Sequence, residues 1–153
     1  MIHVVQQVRL EVPIAVAWEW LSDLAWLATV NPLHRRAAFA DERCRGVGAR
    51  LIVDHGLPIG PRMPRIVRVT HWEEGRRIRW TDVDPTWPTY LFPHSEQFTL
   101  TPLGSEATLL TDALKGTLSP HLPFGNTFDR LAVPIIVART IRIQCARLQR
   151  QCR

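Results

Sequence analysis

Four histidines, His34, His55, His94 and His121, stand in or beside the long connections of this chain. Asp82, Tyr90 and Glu96 lie close to them in sequence, as does Trp87. Imidazoles next to carboxyls and a phenol are the groups used for proton transfer near neutral pH. His55 and His94 are the candidate general bases or acids. Asp82 is a candidate to orient an imidazole and raise its basicity, with His55 the ring expected beside it. Tyr90 is a candidate donor to a ligand oxygen. Each residue also has a plainer role. His55 can be a hydrogen-bonded core histidine, His94 and His121 loop anchors, and Asp82 an ion-pair partner of a cross-strand arginine. His34 reads as a surface or anchoring residue that borders the same site. No HxH or HxxxH pair points to a metal, and no nucleotide-binding loop or nucleophile elbow is visible. Lys115, the only lysine, sits in a strand of ambiguous phase, which argues against Schiff-base chemistry there.

The elements that must hold these groups follow from hydrophobic periodicity. Val4, Val8, Leu10 and Val12 alternate with polar residues and predict a half-buried first strand, with Gln6 in the inward phase. Pro13 ends it and suits a helix start. Trp18, Leu21 and either Leu24 or Ala25 form a helical stripe, with a break or cap at Ser22-Asp23. Asn31-Pro32 closes the helical region. Six more strands are expected: a weak one over Ala37–Arg43, one around Leu51 and Val53, Ile66–Trp72, one around Ile78 and Trp80, one around Glu96 and Phe98, and Ala107–Lys115. A last helix is expected to open at Gly125-Asn126. Its apolar stripe is predicted through Phe128, Leu131, Ala132, Ile135 and Ala138, loosened by Pro134.

The 153 residues suit one domain, residues 1–153, with a substantial core. Apolar residues make up 46% and charged residues 22%, ordinary for a globular chain, and no apolar run reaches membrane-span length. The N-terminus alternates and lacks the apolar core of a signal peptide, so a cytoplasmic location is expected. Cys44, Cys145 and Cys152 have no metal-type spacing and read as reduced thiols. The net charge of +5 comes from arginines spread through the chain, with acidic residues interleaved. That pattern reads as a solvated surface, and no nucleic-acid partner is expected.

The segment VPIAVAWEWLSDLAWL, with Pro13 after a strand, Trp18 in the first helix and the Ser22-Asp23 break, resembles the opening of the SRPBCC superfamily. That superfamily includes START-like lipid-binding domains, polyketide cyclases and the birch pollen allergen group. The resemblance implies an α+β helix-grip fold. A seven-stranded curved antiparallel sheet with two short helices would wrap a long C-terminal helix and enclose a cavity. It also implies that ligands enter at the end where the connection Val30–Arg35 lies, which is the end of the longer loops. Leu51, Val53, Trp80, Phe98, Phe128 and Leu131 would line the cavity, with Trp87, Glu96 and His34 towards its mouth. The expected ligand is a small hydrophobic or aromatic, polyketide-like molecule. The expected activity is cofactor-free cyclase, dehydratase or lyase chemistry. A non-catalytic carrier is the alternative, and a homodimer through edge strands or the last helix is compatible with the sequence. One fold of this kind carries many chemistries.

Overall fold

A computed structural model describes residues 1–55, 63–83, 93–117 and 133–151. Its strands are β1 (Ile2–Leu10), β2 (His34–Phe39), β3 (Arg50–His55), β4 (Met63–Glu73), β5 (Arg77–Asp82), β6 (His94–Pro102) and β7 (Thr108–Gly116). Its helices are α1 (Ile14–Ser22), α2 (Leu24–Val30) and α3 (Val133–Arg150). The strands form one antiparallel sheet in the order β1-β7-β6-β5-β4-β3-β2. The first strand thus closes onto the last, and the two short helices carry the chain across to the opposite edge. Register shifts at His34/Arg36 and Val69/His71 add local twist and help the sheet curve.

Local sequence explains the elements. Pro13 occupies the position before α1, and its carbonyl accepts from the Ala17 amide. Asp23 caps α2, its Oδ1 accepting from the Trp26 amide at 3.0 Å. Gly75 takes φ 72° in the turn between β4 and β5, where only glycine is comfortable. The inward phases of β3, β5 and β6 are those the alternation predicts: Leu51, Val53 and His55; Ile78 and Trp80; Glu96, Phe98 and Leu100.

Two expectations are corrected. The second strand spans His34–Phe39 rather than Ala37–Arg43, because His34 pairs with His55 and Phe39 with Leu51. Of the stripe expected on the last helix, Phe128, Leu131 and Ala132 lie outside the described residues, Ala138 packs half-buried on the core, and Ile135 faces outward. Val137, Thr140, Ile141, Gln144, Cys145 and Leu148 are buried, while Ile135 is 69% exposed. The apolar residues of α3 surround it, so the stripe through Ile135 had a rival, and the sheet selects the rival. Val137, Ile141 and Cys145 pack on Ile2, Val4 and Leu114. Leu148 joins the larger core around Leu10, Leu21, Leu51, Ile78 and Phe98. Pro134 falls in the first turn of the described helix, where no amide donor is needed. The predicted start at Gly125-Asn126 lies outside the described residues.

Candidate active site

His34, His55 and His94 converge although three different strands carry them. The His34 and His55 ring centroids are 4.2 Å apart, and those of His55 and His94 are 6.3 Å apart. The register produces this directly, since His34 opposes His55 at one sheet end and His94 begins β6 at the same end.

Asp82, the last residue of β5, organises the third histidine. Its Oδ2 accepts from the His94 backbone amide at 2.8 Å and stands 3.0 Å from His94 Nδ1. Arg65 Nη1 lies 3.4 Å from the same oxygen and 3.5 Å from His94 Nδ1. All three side chains are almost enclosed, Asp82 at 2% exposure, Arg65 at 5% and His94 at 10%. A carboxylate 3.0 Å from Nδ1 places the imidazole proton there and makes Nε2 the basic nitrogen. Asp82 Oδ1 is buried without a hydrogen-bond partner among the described residues, so the carboxylate keeps accepting capacity. The ring oriented by Asp82 is therefore His94, not the expected His55.

The other two rings stay neutral. Burial first, and then the repulsion a second imidazolium would meet from a charged His34 and from Arg65, pushes His55 down to about 2. Burial also lowers His34 to about 4, against the pull of its bond to Ala28. His34 Nδ1 donates to the Ala28 carbonyl at 2.5 Å, and His55 Nδ1 donates to that of Val53 at 3.3 Å. Each ring thus presents Nε2 as an acceptor. For His34 that nitrogen is buried and unpartnered among the described residues.

One step deeper along the inner face of β6 lies a second polar group. Glu96 is 1% exposed and opposes Trp80 across the strands. Trp80 Nε1 donates to Glu96 Oε2 at 3.0 Å, and Gln144 Nε2 of α3 donates to Oε1 at 3.3 Å. Asp112 of β7 is fully buried beside it. Burial and the neighbouring Glu96 charge raise Asp112 well above the carboxylate range, and burial also raises Glu96. Glu96 has two outside donors and Asp112 has none among the described residues, so the retained proton belongs on Asp112 and bonds Glu96. Burial, with Asp112 and Glu96 close by, pushes the Cys145 thiol up to about 12, which makes it an inert apolar neighbour.

Of the residues singled out from the sequence, His34, His55, His94 and Asp82 are brought together. Glu96 and Trp80 form the deeper layer, and Leu51, Val53 and Phe98 are buried on the same face. Tyr90, Trp87, Phe128, Leu131 and His121 lie outside the described residues. Sequence reasoning missed Arg65, Asp112 and Gln144. Two of them carried a readable signal: Arg65 shares a phase with Val67 and Val69, and Asp112 shares one with Leu110 and Leu114. At the rim of the sheet, Asp82, Pro93, His94, Lys115 and Gly116 line an open cleft of about 350 Å³. No group of three His, Cys, Asp or Glu among the described residues has an arrangement that could hold a metal ion.

A curved seven-stranded antiparallel sheet with two short helices and a long C-terminal helix is the architecture of an SRPBCC-type protein. The chain belongs to the family described as polyketide cyclase/dehydrase and lipid transport, whose model matches residues 1–153. No curated protein matches the sequence. Among solved structures, the chain is similar to a START superfamily protein from Mycobacterium smegmatis, with TM-score 0.69, 19% identity and coverage of 97% of this chain and 98% of that one. It is similar to a norcoclaurine synthase point mutant from Thalictrum flavum in complex with a transition-state analogue, with TM-score 0.66, 10% identity and coverage of 98% and 95%. It is also similar to the di-domain ARO/CYC BexL of the BE-7585A biosynthetic pathway, with TM-score 0.72, 12% identity and coverage of 98% of this chain and 46% of that one. Identities this low speak for the fold alone.

Proposed function

We propose that this protein is a single-domain enzyme that takes a small hydrophobic or aromatic, carbonyl-bearing molecule between sheet and α3. It acts on that molecule by general acid–base chemistry of the cyclase, dehydratase or lyase type, without a cofactor. The observation that carries this reading is the Asp82–His94 pair, 3.0 Å apart and nearly enclosed, at the end of the sheet where three histidines meet. His94 Nε2 takes a proton from a carbon next to the substrate carbonyl. Asp82 fixes the tautomer and stabilises the imidazolium that forms. The Arg65 guanidinium offsets negative charge developing on the substrate oxygen. His34 and His55, both neutral, accept hydrogen bonds from substrate hydroxyls. Leu51, Val53, Trp80 and Phe98 provide the apolar walls, and Tyr90, Trp87, Phe128 and Leu131 belong to the same site in this reading. Glu96 and Asp112 set the polarity of its deeper end.

Groups positioned in this way contribute on the order of 10² to 10⁴ in rate. The cyclase and norcoclaurine synthase neighbours support catalysis in such a fold, and the family's description allows transport equally. One observation favours a carrier: His34 and His55 each donate to a backbone carbonyl, as structural histidines do. The test is native mass spectrometry of the purified protein, with extraction and identification of any bound compound, followed by turnover of that compound by wild type and His94→Ala. Loss of turnover with retained binding supports the enzyme, and binding without turnover by either protein supports the carrier. We place the protein in the cytoplasm. No described helix is long and apolar enough to cross a membrane.

A further inference from the structure

The outward face of α3 has a composition that the grip does not require. The helix VPIIVARTIRIQCARLQR contains four arginines and no acidic residue. At 100° per residue its exposed positions cover roughly 160° of the circumference, opposite the face on β1. Arg139, Arg142, Arg147 and Arg150 all lie in that arc, and no carboxylate among the described residues pairs with any of them. Ile135, Ile136 and Ile143 lie among them at 69%, 55% and 38% exposure. Beside the C-terminal turns, Trp26, Thr29, Arg147 and Arg150 line an open cleft of about 280 Å³ between α2 and α3.

We propose that this face docks the protein onto an anionic lipid surface. Four arginines without compensating acids attract anionic headgroups. The isoleucines add apolar area that reaches the boundary between headgroups and acyl chains, and arginine stems lie along such a boundary with their charges in water. In the cleft beside Trp26, Arg147 Nη1 donates to the Val30 carbonyl at 3.0 Å, so a headgroup phosphate there would meet Arg150 and the remaining Arg147 donors, and tryptophan favours the membrane interface. A nucleic-acid partner would use the arginines but not the isoleucines. A second copy of the same face would set arginine against arginine. Lipid is the surface that uses both residue types.

The placement also bears on ligand entry. Val137 and Ile141 pack on Ile2 and Val4, and both Ile2 and His94 pair with Gly116. Ile135 and Ile136 therefore lie at the histidine end of the sheet, where an apolar ligand leaving a bilayer would meet the site. Docking is independent of catalysis and holds for an enzyme or a carrier.

The test is co-sedimentation of the full chain with phosphatidylglycerol and phosphatidylcholine vesicles at low and moderate salt, beside a duplex DNA control. The proposal predicts binding to phosphatidylglycerol vesicles that weakens with salt, and little binding to phosphatidylcholine. The double variant R139E/R142E lowers the partition coefficient by roughly 20-fold or more. The double variant I135S/I136S lowers it severalfold while leaving the salt dependence in place. All four positions are exposed, and unchanged thermal melts check that both variants fold. Equal binding by wild type and R139E/R142E overturns the proposal. So does indifference to the isoleucines, or binding to DNA without binding to phosphatidylglycerol vesicles.

Discussion

His94 Nδ1 and Asp82 Oδ2 stand 3.0 Å apart, and the same oxygen receives the backbone amide of His94 at 2.8 Å. One carboxylate therefore fixes both the backbone and the ring of the residue that opens β6. This doubled hold separates two roles of Asp82, and a single substitution tests them. Asp82→Asn preserves shape and an acceptor for the amide, but it loses the charge that stabilises an imidazolium. It is expected to lower turnover of an identified substrate about 100-fold. KM should stay within about threefold, because in the proposed reading the residue positions a base rather than the ligand. A larger rise in KM than fall in kcat would make Asp82 a binding residue.

The pH dependence of stability follows from His34 and His55. Both have folded values below the ordinary 6.5, about 4 and about 2, because burial disfavours the charged ring. The unfolded chain binds protons on these rings below pH 6.5 while the folded chain does not. Titration of these rings therefore adds no penalty above about pH 6.5, and it destabilises progressively as pH falls, down to about 4 for His34 and about 2 for His55. Thermal melts should show a falling midpoint across that window. In His34→Phe/His55→Phe the fall should be shallower. NMR titration of the ring protons should show two histidines that remain neutral at pH 5.

The buried acid pair tilts the other way. Asp112 and Glu96 have folded values raised by burial, so the folded state holds a proton that the unfolded chain releases above its ordinary carboxylate range. Stability contributed by the pair is thus present at low pH and lost as pH rises. Asp112→Asn keeps a donor to Glu96 and removes the titration. Urea unfolding should show the variant more stable than wild type by about 1 kcal/mol at pH 8, with the difference shrinking towards pH 4. A variant less stable at pH 8 would mean that Asp112 is already ionised and paired in the fold.

Leu148 is the residue of α3 that joins the main core, where it is fully buried. Leu148→Ala should cost about 2–5 kcal/mol in urea unfolding. Ile135→Ala, on the same helix but 69% exposed, should change stability by less than about 0.5 kcal/mol. Similar costs at the two positions would contradict the helix phase described above.

The contrast between these two residues shows where the sequence was legible. Strands with one wet face declare their phase through alternation, which places Leu51, Trp80 and Phe98 on the inner face from sequence alone. Helix α3 carries apolar residues all round and buries the polar Thr140 and Gln144, so its phase depends on the sheet it meets. The same applies to the site. His34, His55, His94 and Asp82 were readable as chemistry-bearing residues near long connections. The pairing of Asp82 with His94 is not legible in the sequence, because the two lie 12 residues apart and only the β5–β6 register sets them side by side. Arg65 and Asp112 share phases with valines and leucines. A charged residue in an apolar phase is ordinarily read as a strand end or a slip, yet here each is enclosed beside a partner of matching chemistry.

The most direct test of His94 as a carbon-acid base is solvent deuterium exchange, followed by NMR. The probe is an aromatic β-dicarbonyl compound, with its binding to each protein verified first by native mass spectrometry. The account predicts that wild type accelerates exchange at the carbon between the carbonyls at least about 100-fold over His94→Ala, with binding retained in the variant. Equal exchange rates for the two proteins, with the probe bound to both, would contradict it and leave a protein that holds its ligand without transferring a proton.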